Sequence, residues 1–321
     1  MLNVKVPGLA TELEKDKDFK ILTITNIEEI LDRGFTKEGI GTIAKSCGIP
    51  AGYLNRLYGS DKDLFNATMK HWMGVEDVLA KRSVAIKNEQ VAGLCKRDKI
   101  LVPTGNMLEK VVDIFDKNAW DGDLVQGAIH PNDSFLSVVF NDIQKNAVEG
   151  AERGDLLNAG FSIVHSMLGD FKDKILSYVH RLVCTNGLIV DDEQHSWDIS
   201  DDSFPDTAED YICQAKDIGM ELMDKFISLK NIPVTNPVSA ITSMAKQMGI
   251  GAKDINLLLQ EIGRQPLENM YDVSNLLTFY ATHQSDDPYE VRKLQTRIGN
   301  LINIEVCDCC HSVIKTINKN F

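Results

Sequence analysis

The chain has 321 residues, 43% of them hydrophobic and 25% charged, with a net charge of −13. This is an ordinary globular composition with room for one to three domains. No apolar run reaches the roughly 18 residues that a spanning helix requires. The start, Met1-Leu2-Asn3-Val4-Lys5-Val6-Pro7-Gly8, has no h-region, so no secretory signal is expected. Seven cysteines without framework spacing suit a reducing cytosol, so a cytoplasmic location is expected, with no membrane partner.

Residues 1–22 read as an irregular, charge-mixed lead-in, and residues 25–80 read as helices. Asn26 precedes Ile27-Glu28-Glu29-Ile30-Leu31, with acids in the first turn and Gly34 just past the end. Thr36 caps a second helix that runs to Ser46, Ala51–Tyr58 makes a third, and Ser60 or Asp61 caps a fourth through Trp72. Residues 84–190 change character. Strand-like runs occur at Val84–Ile86, Lys99–Val102, Leu124–Ile129, Phe135–Phe140, Phe161–His165 and Ile175–Cys184. Helical patterns at Asn106–Phe115 and Asp142–Gly150 interrupt them, and Pro131-Asn132-Asp133 signals a turn.

In the last of these runs Leu176, Tyr178, His180, Leu182 and Cys184 alternate with Ile175, Ser177, Val179, Arg181 and Val183, the period of a half-buried strand. Asn186-Gly187 then predicts a tight reversal into a second apolar run. Residues 191–210 hold nine acids and no Lys or Arg, and read as a linker or surface flap. Residues 207–283 are helical again, with a start at Asn236-Pro237 and a break at Gly249-Ile250-Gly251; another helix starts at Asp287-Pro288. The expected fold is α+β: a central, mainly antiparallel sheet with helical N-terminal and C-terminal regions. The expected divisions are a helical region over 1–80, an α+β core over 81–190, the acidic segment 191–210, and a helical region over 211–321 that ends in a Cys-rich tail.

Four constellations could carry chemistry. Thr36–Tyr58 has the form of a helix-turn-helix: Ala44 in the first helix, Gly48 in the turn, and Ile43, Ile49, Leu54 and Leu57 at the apolar offsets. Tyr53, Asn55 and Arg56 would then lie on the second helix, where Asn and Arg are base-edge readers. Lys81, Arg82, Lys87, Lys96, Arg97 and Lys99 form a basic stretch within residues 80–120, which carry eight Lys/Arg against five Asp/Glu in an otherwise acidic chain. Beside a sheet, such a stretch can track phosphates, although no aromatics are interleaved to stack bases. Arg181, on the strand face opposite Cys184, is a further candidate contact.

His130, His165 and His180 each sit in or at the end of an expected strand, where adjacent strands could gather imidazoles for a metal. His180 and Cys184 stand about 13 Å apart along one strand, too far for a thiol–imidazole pair. Cys307-Asp308-Cys309-Cys310-His311 offers four potential zinc ligands but lacks a second ligand turn. No phosphate-cradling Gly-rich loop, dinucleotide fingerprint or nucleophile elbow is present, so the sequence defines no enzyme class and no cofactor.

Three segments resemble the phage/plasmid-like proteins, a family of unknown function common in bacteriophages and mobile elements. They are Ile49-Pro50-Ala51-Gly52-Tyr53-Leu54 with Asn66 and His71-Trp72; Ala159–Gly169 with Arg181–Gly187; and Met270-Tyr271-Asp272-Val273-Ser274-Asn275-Leu276-Leu277-Thr278. Together they lie within residues 49–283. His165-Ser166-Met167-Leu168-Gly169 departs from the family's Asn-Ser-acid-x-Gly pattern. The resemblance implies phage or plasmid origin, an intracellular role, and a sheet-plus-helix core like that of single-strand annealing proteins. The leading expectation is therefore a non-enzymatic DNA-metabolism protein that binds single-stranded DNA, anneals it, and acts as a homo-oligomer. The alternatives are a protein that engages a host or phage partner through the acidic segment, and a metal-dependent enzyme centred on the three histidines.

Overall fold

A computed structural model describes the chain except residues 8, 10, 12, 14–18, 98–101, 130–133, 147–155, 169–171, 182–185, 192–195, 200–203, 262–266, 284, 301–303, 307–312 and 317–321. For residues 146, 186, 196–199, 204–206, 261, 304–306 and 313–316 it describes the backbone alone. The protein mixes helices and strands in two principal sheets.

Strand β1 (Leu2–Val4) leaves at once to join the larger sheet, and β2 (Phe19–Leu22) begins the smaller one. Side-chain caps then set the helix starts. Asn26 accepts from the Glu28 N–H ahead of α1 (Ile27–Arg33), and Thr36 accepts from the Gly39 N–H ahead of α2 (Lys37–Ser46). Helix α3 (Ala51–Ser60) follows Pro50, and Asp61 accepts from the Leu64 N–H to start α4 (Lys62–Val75). A short α5 (Val78–Lys81) leads into β3 (Arg82–Lys87), which turns through Asn88 and Glu89, both at left-handed φ, into β4 (Gln90–Lys96). Strands β2, β3 and β4 pair antiparallel in that order.

One face of this small sheet, with Val84, Ile86, Val91 and Leu94, shares an apolar cluster with Ile30, Ile40, Ile43, Leu54, Phe65 and Met69 of the helices. Packing therefore runs across residue 80, where the sequence suggested a division between helical region and core.

Helix α6 (Thr104–Lys117) precedes a meander of β5 (Gly122–Ala128), β6 (Ser134–Asn146), β7 (Leu156–His165), β8 (Asp173–Arg181) and β9 (Asn186–Val190). Neighbours in the meander pair antiparallel, and β1 pairs parallel with β5 at the edge, which makes the sheet mixed. Strand β9 lines β8 from Arg181 to Ser177, and β10 (Ser196–Ile199) continues along the same edge from Leu176 to Asp173. This sheet has seven strands among the described residues.

The helices α7 (Phe204–Ser228), α8 (Pro237–Gln247), α9 (Ala252–Glu261), α10 (Met270–His283) and α11 (Pro288–Gly299) follow. Asn236 and Asp287 cap α8 and α11. Leu136, Val138, Phe140, Phe161 and Ile163 form one core with Val111 and Phe115 of α6 and Ile212 and Leu222 of α7. The opposite sheet face gathers Phe135, Val139, Leu176, Tyr178 and Ile189, and Tyr289 of α11 meets Phe135 edge-on at 5.6 Å. A last hairpin joins β11 (Ile304–Val306) and β12 (Val313–Thr316).

Several expectations give way to this packing. Asp142–Gly150 is not a helix as far as Asn146: β6 continues through it, with Gln144 opposite Asn158 after a register shift. That bulge breaks the period of two, which hid the strand. Residues 1–22 contain β1 and β2, and β4 stands where no strand was expected. Asn186-Gly187 is not the turn but the start of β9, paired with Arg181 and His180. Strand β8 is covered on both faces rather than one, because α11 packs where solvent was expected. Segment 191–210 is not a plain linker: β10 belongs to the sheet, α7 begins at Phe204, and Asp191 accepts from Lys174 at 2.9 Å. His130, Lys99, Cys184, the Pro131–Asp133 turn and the Cys307–His311 cluster lie outside the described residues.

Candidate nucleic-acid interface

Helices α2 and α3 meet in the short turn the sequence suggested, with Gly48 at φ +65°. A left-handed φ favours glycine there. Ile43, Ala44 and Leu54 are fully buried and Leu57 nearly so, which fixes the rotation of α3. Its outer side therefore presents Tyr53, 39% exposed, and Arg56. Asn55 is turned onto its own helix, donating to the Ala51 carbonyl at 3.1 Å, and so differs from the base reader expected. Tyr58 faces inward, where its hydroxyl accepts from the Phe35 N–H at 3.1 Å.

The β3–β4 hairpin brings four of the expected cations to one end. Arg82 stands directly opposite Lys96, and Lys81 and Arg97 are their chain neighbours. Two of the four also tie down the backbone. Lys81 donates to the Glu76 carbonyl at 2.7 Å, and Arg97 donates to the Ala80 carbonyl at 2.6 Å. Lys87 is not part of the group. It lies at the turn end of β3, about 17 Å from Arg82 at strand rise, with its ammonium 4.6 Å from the centre of the Phe19 ring. Arg181 ends β8 in the other sheet, opposite Leu157 and Asn186. The basic stretch is thus a cluster at one end of a hairpin, not a track along a sheet.

Both faces of the small sheet are covered. Helices cover Val84 and Leu94, while Met167 and Leu168, from the loop between β7 and β8, pack against Phe19, Ala92, Ala85 and Cys95. Among the described residues, the ends of the hairpin and the helices outside it remain for a partner. On α4, Leu64 and Trp72 are exposed, 46% and 39%, and His71 meets the Trp72 ring edge-on. The sequence marks His71 and Trp72 only through the family resemblance, since the apolar pattern of α4 does not say which of its apolar residues stay outside.

The two described histidines of the set do not converge. His165 and His180 lie at opposite ends of the β7–β8 pair, about 23 Å apart at strand rise. Among the described residues no group of three or more His, Cys, Asp or Glu could hold a metal ion. His165 has a structural setting instead. Its Nε2 is 2.8 Å from the Val102 carbonyl, and its Nδ1 is 2.8 Å from a carboxylate oxygen of Asp173. The latter is an ion-pair contact, attractive when the ring carries both protons, rather than an aligned hydrogen bond. Asp173 also accepts from the Ser166 N–H at 2.9 Å, and Ser134 donates to the His165 carbonyl. These bonds anchor both ends of the loop that carries Met167 and Leu168.

The thiol of Cys47 is buried near Glu76, and burial followed by that negative charge pushes it up to about 11, which makes it a poor nucleophile. No protein-family model matches the chain, and no curated protein or solved structure matches it. No helix among the described residues is long and apolar enough to cross a membrane.

Proposed function

We propose that this is a DNA-binding protein of phage or plasmid DNA metabolism, in which the segment from β2 to β4 contacts DNA and the larger sheet is its scaffold. The observation that carries the reading is the convergence of Lys81, Arg82, Lys96 and Arg97 at one end of the hairpin. Phosphates are bound by such grouped cations regardless of base sequence. Charge asymmetry supports it: residues 19–97 hold twelve Lys/Arg against nine Asp/Glu, or +3, which leaves −16 for the rest of the chain. The orientation of α3, with Tyr53 and Arg56 outward, adds groups able to reach base edges. The resemblance to phage/plasmid-like proteins favours the same role.

The covered faces of the small sheet offer single strands no stacking platform, which favours duplex over single-stranded DNA as the ligand. Fluorescence anisotropy with labelled duplex and single-stranded oligonucleotides at about 50 mM salt tests both points. Binding with a log–log salt slope of about −3.6, for four phosphate contacts on duplex, is the expected result. No binding of either form at that salt sinks the proposal, and a preference for single strands returns the ligand to the form first expected from the sequence.

A further inference from the structure

The connection between β7 and β8 reaches the small sheet at Gly93. On one side Leu168, from the β7–β8 loop, lies so close that a Cβ on Gly93 would come within 2.3 Å of its Cδ1. Beside it, at the free edge of β4, lies Thr42 of α2, whose Oγ1 would be 3.4 Å from the same Cβ. The Thr42 hydroxyl accepts from the Leu94 N–H at 3.1 Å and donates to the Gly39 carbonyl at 3.0 Å. A continuous line of van der Waals and hydrogen-bond contacts thus runs from the loop, through β4, into the first helix of the α2–α3 pair.

The strand ends that flank Leu168 are firmly held. His165 and Asp173 close the hairpin from which Leu168 projects, and His165 also grips the Val102 carbonyl in the segment that leads from the small sheet to α6. A packed interior transmits such displacement because it has no slack to absorb it.

We infer that Leu168 couples the seven-stranded sheet to the α2–α3 helix pair, so that a shift of Leu168 changes the seating of α2 on β4. Binding at either end would then bias the other, since coupling is reciprocal. Leu168→Ala removes the contact from the loop side. Gly93→Ala displaces the leucine from the strand side and carries the test if Leu168→Ala does not fold.

Amide hydrogen exchange on the full chain reads the result. The expected outcome is exchange about tenfold or more faster at Leu94 and at the α2 amides, with protection in β6 and β7 retained, since local opening is independent of global unfolding. Leu222→Ala, a core deletion in α7 remote from this contact, should not reproduce that pattern. Unchanged protection at Leu94, or an equal loss in α2 and in β6–β7, overturns the inference.

Discussion

Tyr178 lies against the backbone of Gly187: a Cβ on that glycine would stand 2.3 Å from the phenol oxygen. The two residues sit two register positions apart on the same face of paired strands, since Tyr178 faces Ile189 and His180 faces Gly187. Tyr178 is buried, which raises its phenol well above the ordinary range, and the missing side chain on β9 makes room for its ring. Gly187→Ala should therefore destabilise the protein by about 1–3 kcal/mol, the usual cost of overpacking. A urea unfolding curve with an unchanged midpoint would show that the ring yields freely.

The His165–Asp173 pair makes a second prediction. Both side chains are almost wholly buried, and removing one partner of such a pair strands the other. Asp173→Ala should cost about 3–5 kcal/mol, and His165→Phe combined with it should cost less than the sum of the single changes. Additive losses in a double-mutant cycle would mean that the two groups act independently.

The cation cluster can be separated from its neighbours by mutation. Arg82→Gln with Lys96→Gln should weaken DNA binding and lower the salt slope by about two contacts' worth, near 1.8. Lys87→Gln, at the far end of the hairpin, should leave the slope unchanged. Lys81 and Arg97 are less suited to this test because each also holds a backbone carbonyl. An equal effect of Lys87→Gln would put the contact surface along the whole hairpin.

Cys47 should be inert in the folded protein. With the thiol pushed up to about 11, only about one molecule in a thousand carries the thiolate at pH 8. Mass-resolved alkylation should leave Cys47 unmodified under native conditions and label it in urea. The sign of the linkage follows from the same burial. The unfolded thiol ionises near its ordinary value of 9.0, so its contribution to stability is full below that pH and is lost as pH rises to about 11. Cys47→Ala should remove that portion of the alkaline loss, as seen in melts at pH 8 and pH 10.

The N-terminal helices were legible because their signals are local. Asn26, Thr36 and Asp61 each cap a helix within their own few residues, and Gly48 marks its own turn. The same holds for Asn236 and Asp287. The alternating faces of β8 were legible too, with Leu176 and Tyr178 on one side and Ile175 and Val179 on the other. What lay over each face was not, because a strand covered on both sides by helices distant in sequence alternates like one half in water.

The basic residues show the same division. Their types and their neighbourhood were plain in the chain, but β4 carries Lys96 back to Arg82 only through pairing, while Lys87 is carried away from them. Gly187 looked like a turn residue because Asn-Gly favours a reversal locally, whereas the ring of Tyr178 from the paired strand decides its place. The sequence by itself determined the helix starts, the strand periods and the charge asymmetry, each of which depends on residues within a few positions. Only the tertiary structure decided which cations meet, which histidines do not, and how Leu168 reaches Gly93, because those relations arise from packing between segments whose separation along the chain carries no signal of their contact.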